Sequence, residues 1–213
     1  MKEIFKNVRE KLVAKYLKNS ISKDYSKNTK KFKPRIKARI RKNKQLISKN
    51  IDTFFDWIKG AELIELKSCN VKEDPVRPEL DIKFRTSYGR KIFGVKYKNE
   101  ICAIMCFGFT NEIPKTVKDL DLMTKDAYLQ SALRDQKVGK IAIAYTVWSK
   151  KKGGGKLIVK EVFKKIKKSN HLNRLVTLSP LTDMARNFHL RNGAVELQVN
   201  KETQNFEYKI WFY

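Results

Sequence analysis

The sequence is poor in the residues that build metal centres and disulfide frameworks. Its 213 residues include 3 cysteines and 2 histidines. Cys69, Cys102 and Cys106 are an odd number without CxxC spacing, so they indicate neither a disulfide framework nor a zinc site. His171 and His189 are too few for a histidine-rich metal centre. We therefore expect reduced cysteines in an intracellular, cytoplasmic setting and no bound metal.

Long hydrophobic runs are also missing. The longest apolar stretch, Ile101–Phe109, is far shorter than the roughly 20 residues that a membrane-spanning helix requires. The first 20 residues are too charged for the apolar region of a signal peptide. These two observations lead us to expect a soluble protein with no membrane span.

Acidic residues are scarce. The chain has 22 Asp and Glu against 48 Lys and Arg, which gives a formal net charge of +26. Residues 1–50 alone hold 18 basic and 3 acidic residues, so most of the excess lies near the N-terminus. A charge this large favours an anionic partner. Nucleic acid is the first candidate, followed by an anionic membrane surface and an acidic protein.

The densest positive charge lies between residues 30 and 42. Such a run contacts phosphates without reading base sequence, so we expect a basic arm that binds DNA or RNA. The predicted contact residues are Lys30, Lys31, Lys33, Arg35, Lys37, Arg39, Arg41 and Lys42.

The hydrophobic pattern changes near residue 60. Before this point, apolar residues recur at helical spacing within residues 3–18 and again from Pro34 to Gly60, with a lysine-rich loop between the two segments. We predict a basic helical extension over residues 1–60, followed by one domain over residues 61–213.

Beyond residue 60 the pattern predicts an α+β domain, in which helices pack on a mixed sheet. Lys98-Asn99-Glu100 is predicted to connect two strands of a hairpin, and one helix is predicted near Lys125–Leu133 within the polar segment 111–139. The predicted strands are Leu63–Leu66, Leu80–Arg85, Lys91–Tyr97, Ile101–Phe109, Ile141–Trp148, Arg174–Leu178, Val195–Val199 and Phe206–Phe212, and two further helices are predicted, one from the glycine turn at 153–155 to Lys168 and one over Thr182–Arg191.

A glycine triplet follows the predicted strand Ile141–Trp148. Residues 150–156 read KKKGGGK and precede an amphipathic run. Free backbone amides at a helix start favour an anion. A P-loop is excluded, because Lys150 stands where the first glycine is required and Leu157 stands where Ser or Thr would hold magnesium. The dinucleotide-binding pattern GxGxxG is excluded as well.

This strand, basic glycine turn and helix resemble motif A of the GCN5-related N-acetyltransferase (GNAT) superfamily. That motif reads Arg/Gln-x-x-Gly-x-Gly/Ala, and Lys150 takes its first position here. The family's amides hold the pyrophosphate of coenzyme A, so the resemblance implies that acetyl-CoA or another acyl-CoA binds at the turn. The implied binding residues are Lys150, Lys151, Lys152, Gly153, Gly154, Gly155 and Lys156, together with backbone groups of Thr146, Val147 and Trp148 along the pantetheine arm.

The segment DMARNFHLRNGAVEL resembles motif B of the same superfamily, which reads roughly A-x-x-x-Y-x-x-x-G-F. Ala185 and Gly193 match this pattern, whereas His189 stands at the Tyr and Ala194 at the Phe. Motifs A and B therefore follow in the family's order, about 30 residues apart.

The resemblance covers residues 91–213 well, residues 61–90 loosely and residues 1–60 not at all. It implies a GNAT-like, mostly antiparallel twisted sheet with flanking helices. It also implies direct attack of an amine on the thioester, in a cleft where two neighbouring parallel strands separate. Here those strands are Ile141–Trp148 and Leu175–Leu178.

The implied catalytic residues each have a second interpretation. His189 could donate the proton to the leaving thiolate, as the family's Tyr does, or it could pack against the sheet or the cofactor. Ser179 could bond substrate or cofactor, or it could cap the next helix together with Thr182 or Asp183. The sequence indicates no clear general base. The acidic residues of the polar segment that could supply one are Glu112, Asp119, Asp121 and Asp126.

Two departures from the family affect the acceptor side. Residues 61–90 leave little room for the two helices that usually follow the first strand, and segment 111–139 separates strands that are usually joined tightly. Three functions stay open. The first is an acyltransferase that acts on or near nucleic acid, with a fold-level resemblance to phage-borne GNAT proteins that modify DNA bases. The second is a small-amine or protein acetyltransferase. The third is a non-catalytic nucleic-acid-binding protein built on a GNAT shell.

Overall fold

The computed structural model describes residues 45, 46, 49, 52, 53, 55–134 and 139–208. The chain divides into two units, Met1–Gly60 and Ala61–Tyr213. In the first unit, residues 55–60 are helical. The helix predicted within residues 3–18 and the predicted nucleic-acid-binding residues between 30 and 42 lie outside the described residues.

The second unit is built on a sheet of eight strands. In chain order they are β1 (Glu62–Leu66), β2 (Lys91–Tyr97), β3 (Glu100–Thr110), β4 (Ile141–Ser149), β5 (Arg174–Thr177), β6 (Ser179–Pro180), β7 (Ala194–Val199) and β8 (Thr203–Tyr208). Their order across the sheet is β1-β2-β3-β4-β5-β8-β6, and β7 also pairs with β8. The β4–β5 pair is parallel and the other described pairs are antiparallel.

The described part of this unit also contains helices α1 (Ile82–Thr86), α2 (Val117–Arg134), α3 (Gly154–Lys167) and α4 (Asp183–Arg191), and one 3-10 turn at Val71–Glu73. The predicted α+β class, with a mixed and mostly antiparallel sheet and flanking helices, is confirmed. None of the helices in the described ranges combines the length and the apolar character that crossing a bilayer requires.

Helices α2 and α3 lie on opposite faces of the sheet. Ile92 of β2 joins a buried cluster with Leu120 of α2. The next residue, Phe93, lies under the Lys165 ammonium of α3, with 5.3 Å between the nitrogen and the ring centroid. Neighbouring strand residues point to opposite faces, so the two helices cover different sides. The sheet is thereby buried on both faces near its centre.

The strand predicted at Leu80–Arg85 is wrong. Alternation of Leu80, Ile82 and Phe84 with polar residues imitates a half-buried strand, but the chain forms helix α1 there. The Asp81 carboxylate caps this helix by accepting the Phe84 N–H at 2.7 Å. A buried ion pair between Arg85 and Asp74, at 2.9 Å, holds the helix in place. The helix cap and the buried ion pair together oppose the strand that the local alternation predicts.

The helix predicted near Lys125–Leu133 is longer than expected, since α2 begins at Val117. Thr116 and Asp119 cap its start reciprocally. The Asp119 N–H donates to Thr116 Oγ1 at 3.0 Å, and the Thr116 N–H donates to Asp119 Oδ2 at 3.0 Å. The sequence shows this capping box as the motif T-x-x-D. The hydrophobic pattern alone does not indicate that the helix begins there.

Two hairpin boundaries also differ from the prediction. Lys98 and Asn99 alone form the β2–β3 turn, both with positive φ, because Glu100 already pairs with Tyr97. Strand β8 begins at Thr203 rather than Phe206. The predicted end of that strand, residues 209–212, lies outside the described residues.

Candidate functional site

Strands β4 and β5 separate halfway along β4. Their parallel register runs from Ile141 opposite Arg174 to Ala144 opposite Thr177. The Leu178 N–H still donates to the Ala144 carbonyl at 2.8 Å, and β4 then continues alone to Ser149. On its other side, β4 carries an extra residue, because Cys106 pairs with Thr146 while Phe107 pairs with Ala144. Tyr145 is thus a bulge, and bulges bend the strand that contains them.

Arg77 bridges the two strands where they part. Its Nε donates to the Tyr145 carbonyl at 2.9 Å and its Nη2 donates to the Leu178 carbonyl at 3.1 Å. The guanidinium is buried, and this burial lowers its pKa from the ordinary value. One planar cation therefore satisfies a carbonyl on each strand and keeps the strands apart. Nothing in the sequence around Pro75 and Pro78 indicated this role.

Asp74 connects the same loop to the wall of the opening. Its carboxylate accepts the Val76 N–H at 2.8 Å and the Thr146 hydroxyl at 2.8 Å, and it pairs with Arg85 at 2.9 Å. Asp74 and Arg85 are fully buried, so both charges depend on this pairing. The Thr146 side chain is engaged here, which leaves its backbone as the part that faces the opening.

The space between the parted strands is a cavity of about 360 Å³. Tyr145 Oη and Trp148 Nε1 in its wall are buried with no hydrogen-bond partner among the described residues. Beyond Ala144, the edge of β4 that faces away from β3 has no strand paired with it in the described part. The cavity thus offers the unpaired backbone edge of β4 within mostly apolar walls. Its lining includes Met105, Thr146, Val147, Trp148, Gly155, Ser179, Met184, Ala185, Phe188, His189 and Tyr208.

The glycine turn lies at one end of this cavity. Gly153 adopts φ +84°, a left-handed conformation that disfavours other residues, and helix α3 begins at Gly154. The first bond within the helix runs from the Leu157 N–H to the Gly153 carbonyl at 3.0 Å. The amides of Gly155 and Lys156 precede that bond, so they point out of the helix start, where an anion is favoured.

Packing is also tight at two of the glycines. A Cβ on Gly154 would lie 3.0 Å from the Ser149 Cβ and 3.3 Å from the Cys102 carbonyl oxygen. A Cβ on Gly155 would lie 3.1 Å from the Phe188 ring of α4. The close approach seats the start of α3 against β3, β4 and α4, beside the cavity.

The four lysines of the turn do not have equal roles. Lys150 is paired with Glu73 at 2.6 Å, and Lys151 lies over the Tyr97 ring, 4.4 Å from its centroid. Lys152 and Lys156 are exposed at the turn and in the first turn of α3. The predicted positive charge is present, but half of it already contacts other side chains.

A chain of hydroxyl and imidazole groups lies at the other end of the cavity. His189 Nε2 is 2.8 Å from Ser179 Oγ, and His189 Nδ1 is 2.7 Å from the Tyr208 hydroxyl. Ser179 also donates to Thr177 Oγ1 at 3.0 Å. The imidazole stacks on Phe206, with 5.0 Å between ring centroids. The structure therefore brings the two predicted catalytic residues into direct contact.

Burial determines the protonation states of His189 and Tyr208 in this series of hydrogen-bonded side chains. Loss of solvent lowers the pKa of His189 to about 4, so the imidazole is neutral at pH 7. Burial also raises the pKa of Tyr208, which stays a phenol. With both ring nitrogens engaged, one accepts and the other donates. Ser179 does not cap the next helix, since Thr182 accepts the Ala185 N–H there.

The acidic residues of the polar segment do not reach the cavity. The side chain of Asp119 caps α2, Asp121 pairs with Arg90 and Asp126 accepts from Gln130. Glu112 is exposed and is not part of the cavity lining. Among the described residues, Glu73 is the carboxylate of the lining.

Sequence reasoning missed Arg77, Asp74, Glu73 and Tyr208. The first three lie in a proline-containing loop with no recognisable pattern. Tyr208 lies in β8, 19 residues after the histidine that it contacts.

No protein-family model matches the sequence, and no curated protein is similar to it. Several solved structures are similar to the fold at low identity. A Bacillus subtilis acetyltransferase in complex with CoA shares 11% identity with a TM-score of 0.48, covering 71% of this chain and 98% of the other. Acetyltransferase PseH from Campylobacter jejuni, solved with acetyl coenzyme A, shares 15% identity with a TM-score of 0.40, covering 69% and 96%.

A malonyl-CoA decarboxylase from Cupriavidus metallidurans shares 17% identity with a TM-score of 0.45. That match covers 70% of this chain but 38% of the decarboxylase, so the chain corresponds to a minor part of that enzyme's length.

Proposed function

We propose that the chain is an acyl-CoA-dependent N-acyltransferase, which transfers an acetyl or related acyl group to an amine by direct attack on the thioester. The observation that carries the proposal is the cavity between β4 and β5. It joins an anion-binding helix start at one end to the Ser179–His189–Tyr208 chain at the other. Residues 61–213 would form the acyltransferase domain and residues 1–60 its basic extension.

The residues present fit an acyl-CoA. The amides of Gly155 and Lys156, with the exposed Lys152 and Lys156 side chains, would hold the pyrophosphate and ribose phosphate. The unpaired edge of β4 at Thr146, Val147 and Trp148 would pair with the amides of the pantetheine arm.

A bound acyl-CoA supplies a thioester, whose sulfur needs a proton when the thiolate leaves. The hydroxyls of Ser179 and Tyr208 and the imidazole of His189 are the groups of the cavity that can give it. A pKa near 4 means that His189 does not store a proton as imidazolium. It would instead accept a proton on one nitrogen as it donates from the other. The hydroxyl facing the sulfur would give its proton to the leaving thiolate and be reprotonated by the imidazole. The hydroxyl on the other side of the ring would give its proton to the imidazole and regain one from the nitrogen of the attacking amine.

The acceptor that we propose is a nucleic acid or a protein associated with nucleic acid. The support is the net charge of +26 and the basic run of residues 30–42.

A second candidate is a nucleic-acid-binding protein in which this cavity no longer catalyses. The observation in its favour is that no carboxylate among the described residues contacts the Ser179–His189–Tyr208 chain, so the proton of an incoming ammonium has no evident acceptor there.

Calorimetric titration of the nucleic-acid-free protein with acetyl-CoA tests the proposal. We expect saturable binding in the micromolar range. Release of the free CoA thiol is then followed with amines, polyamines, DNA, RNA and basic proteins as acceptors. Binding with turnover on an acceptor supports the acyltransferase. Binding without turnover on any of these acceptors favours the second candidate, and no binding by folded protein rejects both the cofactor and the reaction.

A further inference from the structure

A row of lysines follows helix α3 on the side away from the sheet. Lys152, Lys156, Lys160, Lys164 and Lys168 recur at four-residue steps, and all five are exposed. We call these five residues the lysine row. Lys152 and Lys168 lie just outside the helix, Gly154–Lys167. Residues four apart on a helix are about 6 Å apart along the axis and about 40° apart around it, so the row winds slowly across the exposed side. It spans roughly 20 Å along the axis.

The acidic residues around the row are few. Glu161 is the acidic residue of α3, and it pairs with Lys164 at 2.7 Å. Lys165 and Lys167 are exposed beside the row and add to its charge. Lys160 takes part in a further interaction. The row together with Lys165 and Lys167 thus brings seven basic residues to the exposed side of α3, against one acidic residue on this helix.

The opposite side of α3 is apolar and packs against the rest of the domain. Leu157, Ile158, Val162, Phe163 and Ile166 are buried. The helix therefore cannot turn an apolar face toward a lipid bilayer, as an interfacial helix does. What α3 offers is a rigid line of ammonium groups with no apolar contribution.

We propose that the lysine row binds the phosphate backbone of a nucleic acid without reading its sequence. Nucleic acid is a linear polyanion, and duplex DNA carries one charge about every 1.7 Å of its axis, so a linear row of cations matches it better than it matches a planar membrane. Lysine is a flexible point charge that suits phosphate contacts, and the row holds no Asn, Gln or Arg that could read a base edge.

The row begins at the glycine turn, which borders the cavity. A nucleic acid bound along α3 would therefore lie next to the mouth of the proposed active site. The binding surface does not depend on the acyltransferase proposal, because it can be measured without any acyl donor.

The test compares two triple variants of the full chain. Lys160→Ala/Lys164→Ala/Lys168→Ala removes the row beyond the residues proposed for the cofactor. Lys83→Ala/Lys118→Ala/Lys201→Ala removes three exposed lysines on α1, α2 and the β7–β8 turn, so both variants lose the same charge. Fluorescence anisotropy with a labelled 20-nucleotide strand and its duplex, over a sodium chloride series, gives the affinity and its salt dependence.

We expect the row variant to lose about tenfold or more in affinity, and the slope of log K against log salt to fall by roughly 2 to 3 for duplex DNA. The control variant should keep most of the affinity and most of the salt dependence. Equal losses in the two variants, or no binding by the unsubstituted protein, would overturn the proposal. So would a row variant that loses binding to vesicles of anionic lipid but keeps nucleic-acid binding. Melting curves of both variants verify that they are folded.

Discussion

Burial rather than a neighbouring charge determines the protonation state of His189. The ring lies between Phe206 and Phe188, and its two nitrogens contact hydroxyls rather than carboxylates. An imidazolium would lose its hydration without gaining an anion, so the neutral form is favoured. In the mechanism that we propose, His189 therefore functions as a relay between two hydroxyls.

This lowered pKa predicts how stability depends on pH. The pKa of His189 falls from 6.5 to about 4 on folding, so between these values the unfolded chain binds the extra proton. Stability should therefore decrease as pH falls from about 6.5 to 4, by up to roughly 3 kcal/mol from this group. Urea unfolding at pH values across this window measures the slope.

The matched variants separate His189 from the carboxylates. His189→Gln should remove that part of the pH dependence, although its stability at pH 7 will be lower. His171→Gln leaves His189 in place and should keep the slope of the original protein. If His189→Gln and the original protein lose stability in parallel below pH 6.5, the buried neutral histidine is not the cause.

The buried ion pair between Asp74 and Arg85 should contribute strongly to stability, because neither charge can reach solvent. Both side chains are fully buried, and Asp74 also holds Thr146 on β4. Asp74→Ala would leave the Arg85 charge buried without its partner, so we expect a loss of about 3 to 5 kcal/mol in the free energy of unfolding. Chemical denaturation measures this loss.

The exposed pair of Lys91 and Glu65 provides the control. Its atoms are 2.6 Å apart, closer than in the buried pair, but both side chains reach solvent. Glu65→Ala should cost less than about 1 kcal/mol. Similar losses for Asp74→Ala and Glu65→Ala would mean that burial does not set the strength of the Asp74–Arg85 interaction.

At the scale of elements, the positive end of the α3 dipole affects both the stability of the helix and the proposed binding of phosphate. One substitution can separate these two effects. An acidic residue in the first turn stabilises a helix, whereas the same residue repels a bound phosphate. Lys156→Glu should therefore leave stability unchanged or raise it by up to about 1 kcal/mol. It should also weaken acetyl-CoA binding by about tenfold or more, measured by calorimetry.

Lys160→Glu is the control for this variant. It makes the same change of charge one turn further along α3, where the helix dipole has little effect. We expect its acetyl-CoA affinity to stay much closer to that of the original protein. Equal affinities for Lys156→Glu and the original protein would show that the helix start does not hold the phosphates.

At the scale of the whole molecule, the net charge of +26 should make the protein sensitive to salt. Repulsion among like charges opposes the compact state, and salt reduces it, since the Debye length is about 10 Å at 0.1 M. We expect the melting temperature to rise as sodium chloride increases from low to physiological concentration. Chloride is preferred to sulfate, because sulfate strengthens burial by exclusion from the surface.

A variant with Lys83→Glu, Lys118→Glu and Lys201→Glu tests the cause, because it lowers the net charge by six. Its melting temperature should rise less with salt than that of the original protein. A melting temperature that falls with salt in the original protein would indicate that attractive ion pairs outweigh the repulsion.

The sequence was sufficient to predict a strand or helix where the hydrophobic period and the turn residues indicated the same element. Strand β2 was predicted with its exact bounds, and β4, the glycine turn and α3 were predicted to within one or two residues. In each case the hydrophobic period and the glycine or turn residues indicate the same structure, and these properties depend on neighbours along the chain. The excess of positive charge is likewise a property of the sequence alone.

Only the tertiary structure decided how the cavity is built. Arg77 reaches carbonyls 68 and 101 residues away, and His189 contacts Tyr208 across two strands. The alternation at Leu80–Arg85 even predicted the wrong element, since a helix forms there with an Asp81 cap and a buried Arg85–Asp74 pair. Local periodicity reflects which face of a segment is buried. It carries no information about which distant polar group will satisfy a buried charge or carbonyl, and those pairings shape the opening between β4 and β5.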